Sequence, residues 1–226
     1  MFDIQKQELN ENIVVLRFET QYELCSTFLR IQEFYESPFK QIRKKYFTLE
    51  QYMDLYAKEY GNFTYTLDWS GFNIPDTKIR EFFDVFGKNL LEKEKHFKKL
   101  ISNKLRKNKK FYIIGDYSRS DLNAKKLIKE RFNTFSHEIA HGLYYLNSKY
   151  RNDMIELIEC INEKTKKKIT NKLLDWGYHK SVIDDEIQAY LSTSTGNYLK
   201  RKLKVNVIQA AENFAAVFID HCSKVF

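Results

Sequence analysis

Apolar residues recur along this chain at two periods, and the changes between them divide it into strands and helices. Asn12 to Phe18 (NIVVLRF) is short and β-branched and reads as a strand, whereas from Glu19 to Glu36 the residues Leu24, Phe28, Ile31 and Phe34 fall at helical spacing. Thr48 with Gln51 three positions on is a capping signature, so a helix is expected from Leu49 to Tyr60, stopped by Gly61. Asn62 to Trp69 (NFTYTLDW) has strand composition, and Ser70 to Pro75 reads as a loop. Helices are expected from Thr77 to Phe86 and from Asn89 to Lys104, followed by an apolar strand from Lys110 to Gly115.

The strongest helical period runs from Asp121 to Asn147, where Ile128, Phe132, Phe135, Ile139, Leu143 and Leu146 form one stripe. Beyond it the pattern predicts helices at Asp153 to Glu163, Lys168 to Trp176 and Asp184 to Lys200. A C-terminal helix near Asn206 to Cys222 should bury Val207, Ala211, Phe214, Ala215 and Phe218. The fold class is therefore α+β, with a helical majority and a small antiparallel or mixed sheet. The expected organisation is an N-terminal lobe or cap over residues 1–105 and a core over residues 106–226, or else one continuous domain.

Composition narrows this picture. A chain of 226 residues, 43% of them hydrophobic, can bury one sizeable core, and two prolines and seven glycines leave no linker-like stretch. No apolar run approaches the roughly 20 residues a bilayer requires. Met1 to Asn12 is polar and acidic rather than signal-like, so a cytoplasmic protein is expected, with non-classical release as an effector or toxin the other option. Cys25, Cys160 and Cys222 are odd in number and in no paired spacing, which fits reduced thiols. Part of the net charge of +8 sits in Lys98 to Lys110 (KKLISNKLRKNKK). Aromatic residues are not interleaved there, so a solvated lysine face is expected rather than a nucleic-acid platform.

Candidate chemistry is concentrated on the long helix. His137, Glu138, Ile139, Ala140 and His141 spell HExxH, which sets two imidazoles one helical turn apart, within reach of a single metal ion. With the stripe centred on Ile139, both histidines fall roughly 160° away on the opposite face, so the apolar core is not what they serve. Glu138 projects about 100° further round from His137, toward a reacting water rather than toward the metal. A catalytic zinc site needs a third protein ligand and an open fourth position. The extended pattern HExxHxxGxxH would require glycine at 144 and histidine at 147, where the chain has Tyr144 and Asn147.

These residues resemble the gluzincins, the thermolysin-like and aminopeptidase-like zinc peptidases, in which a glutamate on a later helix completes the site. Asp185, Glu186, Ile187, Gln188 and Ala189 (DEIQA) match the short motif that carries that glutamate. The resemblance, which covers roughly Lys110 to Lys200, implies one zinc ion held by His137, His141 and Glu186. Glu159 and Glu163 lie nearer the usual spacing, but neither has the motif's surroundings. It further implies peptide-bond hydrolysis with Glu138 as general base, and a peptide or protein substrate. Thermolysin-like enzymes place an aspartate four residues after the third ligand, where this chain has Tyr190, so support for a histidine would come from elsewhere, Asp185 being the candidate. Tyr190, His179 and Tyr144 are candidates for a donor to the developing oxyanion. The strand Lys110 to Gly115 is similar by order to the zincin edge strand that pairs with an extended peptide. Deformylases pair HExxH with an upstream cysteine, but Cys25 lacks the glycine of their motif. The competing reading is a non-catalytic protein-binding module with a structural or relic metal site.

Overall fold

A computed structural model describes residues 3–107, 109–117 and 124–225, and of 124–133 the backbone alone. The chain forms two compact units, Met1–Leu122 and Asn123–Phe226. The fold is α+β: helices dominate, and the strands form one four-stranded mixed sheet in the first unit. Among the described residues no helix is long and apolar enough to cross a membrane.

The sheet comprises β1 (Gln5–Glu8), β2 (Ile13–Phe18), β3 (Phe72–Pro75) and β4 (Tyr112–Tyr117), in the order β1-β2-β4-β3. β2 and β4 run parallel, with Val15 opposite Ile114, and β1 and β3 pair antiparallel on the outside. This corrects the expectation of an edge strand at Lys110 to Gly115. β4 is hydrogen-bonded on both sides, and its buried residues have no free ladder to offer a peptide. It belongs to the first unit.

Around the sheet lie α1 (Gln21–Glu36), α2 (Leu49–Tyr60), α3 (Tyr65–Asp68), α4 (Asp76–Phe86), α5 (Glu92–Leu100) and α6 (Ser102–Arg106). Thr20 and Thr48 cap α1 and α2 through complete capping boxes with Glu23 and Gln51. At the centre of the core the Phe28 ring meets Phe18, Phe72 and Phe97. Gly115 lets α1 close on the sheet, since a Cβ there would stand 2.6 Å from Phe28 Cε2.

Two expectations in this unit are overturned. Tyr65–Asp68 is a helical turn and Phe72–Pro75 a strand, the reverse of what composition suggests. The aromatic side chains of 62–69 serve a ring cluster in which Tyr65 packs against Tyr52 and Phe63, whereas Phe72 and Ile74 alternate inward on an edge strand that tolerates Pro75. The helix expected over Asn89 to Lys104 breaks at Ile101, which is fully buried and leaves helical geometry at φ −100°, ψ 8°.

The second unit contains α7 (Ala124–Leu146), α8 (Ser148–Glu159), α9 (Glu163–Asp175), α10 (Ile183–Thr193), α11 (Gly196–Leu203) and α12 (Ile208–Val225). The expected start of the long helix at Asp121, and the side chains of Ile128 and Phe132, lie outside the described residues. α10 is the central element and packs against the other five. The single helix expected over Asp184 to Lys200 is two, because Ser194 is extended and Thr195 caps a new helix by accepting from the Tyr198 amide. Gly196 starts that helix where a Cβ would meet Ile208 Cα at 2.7 Å.

Candidate metal centre

α7 and α10 pack directly, and the site forms where they meet. The side of α7 away from the apolar stripe is itself covered: His141 on the opposite face and Glu138 on its flank are both buried. The histidines thus lie off the hydrophobic stripe, as their phase on the helix requires, yet they face the acidic first turn of α10 rather than open solvent.

His137 and His141 stand one turn apart with ring centroids 4.7 Å apart and Nε2 atoms separated by 3.1 Å. Glu186 faces both, its Oε1 3.6 Å from His141 Nε2 and its Oε2 3.7 Å from His137 Nε2. The three ligand atoms lie within 4.8 Å of one another, and this is the one such group of three found among the described residues. Donors around a tetrahedral zinc, bound at about 2.0–2.2 Å, stand about 3.4 Å apart, so donor set and spacing fit such an ion. Glu186 Oε2 is buried and has no hydrogen-bond partner, which is the position of an acceptor awaiting a cation.

His141 is oriented from behind. Its Nδ1 lies 2.8 Å from Asp185 Oδ1, so the nitrogen facing His137 and Glu186 is Nε2. Burial works against the charged ring, but Asp185 and Glu186, the hydrogen bond to Asp185, and Glu138 together carry its pKa up to about 10. The negative charge gathered there already stabilises a cation, in the form of the imidazolium itself.

Tyr190 lies one turn beyond Glu186 and sets its ring edge against His137, with centroids 4.8 Å apart. Its hydroxyl is 3.1 Å from that of Tyr178, a residue sequence reasoning missed because the segment before α10 has no period. Burial, first of all, pushes both phenols above their ordinary range, with Glu186 and Glu138 adding to it, so both hydroxyls keep their protons. Tyr144 is likewise pushed up to about 12, by burial and then by Asp185 and Asp184.

The remaining sequence candidates lie elsewhere. His179 is exposed and caps the short helix Lys180–Val182, its Nδ1 2.8 Å from the Ser181 hydroxyl. Glu159 ends α8 and Glu163 begins α9, both exposed and neither in the group of three. Cys25 is buried in the first unit with its thiol on the Trp69 carbonyl, and burial pushes its pKa up to about 12.

Comparison with protein-family models, curated proteins and solved structures gives no match.

Proposed function

We propose that this protein is a zinc-dependent peptidase of the zincin kind, with His137, His141 and Glu186 as the metal ligands and a peptide or protein as substrate. The observation that carries the reading is the convergence of two Nε2 atoms and an otherwise unpartnered buried carboxylate oxygen from a second helix. When bound, zinc would polarise a carbonyl and lower the pKa of water to about 7.

The chain's own residues divide the remaining work. Glu138, next to His137 on α7, is buried and outside the group of three ligands, and its charge bears on His141, Tyr178 and Tyr190. Its carboxylate accepts the proton of the attacking water and returns it to the departing amine nitrogen. Tyr190 and Tyr178 are held protonated and hydrogen-bonded to each other; that bond uses one of their two protons and leaves the other hydroxyl as the donor for negative charge developing on the carbonyl oxygen. Asp185 keeps the proton of His141 on Nδ1.

Hydrolysis of a mixed peptide library by the full chain tests this reading. Wild type should cleave, and Glu138→Gln should lose cleavage by a factor of about 100 or more while retaining its metal. Metal binding without cleavage in the wild type would instead support a non-catalytic binding module.

A further inference from the structure

The support behind His141 does not end at Asp185. Gln188, one turn further along α10, donates from Nε2 to the same Asp185 Oδ1 at 2.8 Å, and its Oε1 accepts from the Tyr150 hydroxyl of α8, also at 2.8 Å. Gln188 and Tyr150 are both 0% exposed, so neither finds a partner in water. Asp185, in contrast, has 29% of its side chain exposed, and solvent competes for its carboxylate.

We propose that Tyr150 and Gln188 are positioning residues which hold Asp185 inward and so fix His141 with its proton on Nδ1 and its Nε2 lone pair toward the ion, a role that rests on the metal-centre reading above. The direction of the chain follows from its chemistry. A tyrosine hydroxyl has one proton to give, and burial keeps it in place. Given to Gln188 Oε1, it leaves the amide NH2 for the carboxylate. The flipped amide would set a carbonyl oxygen against a carboxylate oxygen, which repels.

Asp185 then holds two donors on one oxygen, and the second secures its contact with His141. The far end is also held, since the His221 ring of α12 lies edge-on to Tyr150 with centroids 5.2 Å apart and its Nε2 is 2.8 Å from Asp153 Oδ2. Orientation of one ligand is thus distributed over α7, α8, α10 and α12.

The test uses the full chain as wild type, Gln188→Met, Tyr150→Phe and the double variant. Two quantities are read: hydrogen exchange of the His141 Nδ1 proton in metal-free, 15N-labelled protein, and zinc affinity by chelator competition at one pH. Gln188→Met should accelerate exchange and weaken zinc binding about tenfold. Tyr150→Phe should do both to a smaller extent, and the double variant should be no worse than Gln188→Met, as expected for links of one chain. Unchanged exchange and affinity in folded variants, or fully additive effects in the double, would overturn the proposal. Should Gln188→Met not fold, Tyr150→Phe decides by the same two readings. Wild type that takes up no zinc, with exchange still following this order, would uphold the chain to His141 while removing the metal.

Discussion

His141 is held by negative charge before any ion arrives, and this has a measurable consequence. Below its pKa of about 10 the metal-free ring carries a proton on each nitrogen, and an ion binding at Nε2 must displace one of them. Zinc affinity should therefore rise by about tenfold per pH unit across neutral pH, as expected for one displaced proton. Chelator competition at three pH values checks this, and a flat profile would contradict it. At Tyr190, loss of the hydroxyl in Tyr190→Phe should lower kcat about tenfold or more with zinc content unchanged, whereas an equal loss of metal would give the residue a packing role only. His137, Glu138 and His141 were legible in sequence because their relation is local, fixed by one helix. Glu186 and Asp185 were legible through a short motif. Tyr178, Gln188 and Tyr150 were not, because their positions depend on how α8, α10 and the segment before α10 come together.

At the scale of elements, the hydrophobic period located most helices, and their breaks escaped it. Ile187, Leu191 and Tyr198 stay in helical phase across the polar run Ser192 to Asn197, yet the chain turns there because Thr195 offers a cap and Gly196 allows a backbone to approach. Similarly, Ile101 fits a helical stripe but marks a break. β1 left no signal, being a short polar strand exposed along most of its length. Gly196→Ala tests the account of the second break. Its methyl would meet the backbone of Ile208 rather than a flexible side-chain end, so a loss of about 1–3 kcal/mol is expected in urea unfolding. A neutral substitution would show that the close approach is not what the glycine serves.

For the whole molecule, the two units give stability two separate controls. In the first unit Glu33 is buried, which pushes its pKa up to about 7, although the neighbouring hydroxyls of Ser37, Tyr52 and Tyr65 pull it back. The folded protein keeps that proton up to about pH 7, while an unfolded glutamate releases it near the ordinary value of 4.5. This contribution to stability is therefore present at low pH and lost as pH rises from about 4.5 through 7. Glu33→Gln should flatten that decline and be the more stable protein at pH 8, as read from denaturant midpoints. In the second unit stability should follow metal: zinc at about 100 times its Kd adds about 2.7 kcal/mol. Glu33→Gln should leave that increment unaltered, since the two sites share no groups.

The most direct test of the metal centre is zinc content by elemental analysis of wild type beside Glu186→Ala and, as a control on the nearer glutamate, Glu159→Ala. Ligation by His137, His141 and Glu186 predicts about one zinc per chain in wild type and in Glu159→Ala, and loss of the metal in Glu186→Ala. Full retention in Glu186→Ala, or no zinc in any of the three after reconstitution, would contradict it.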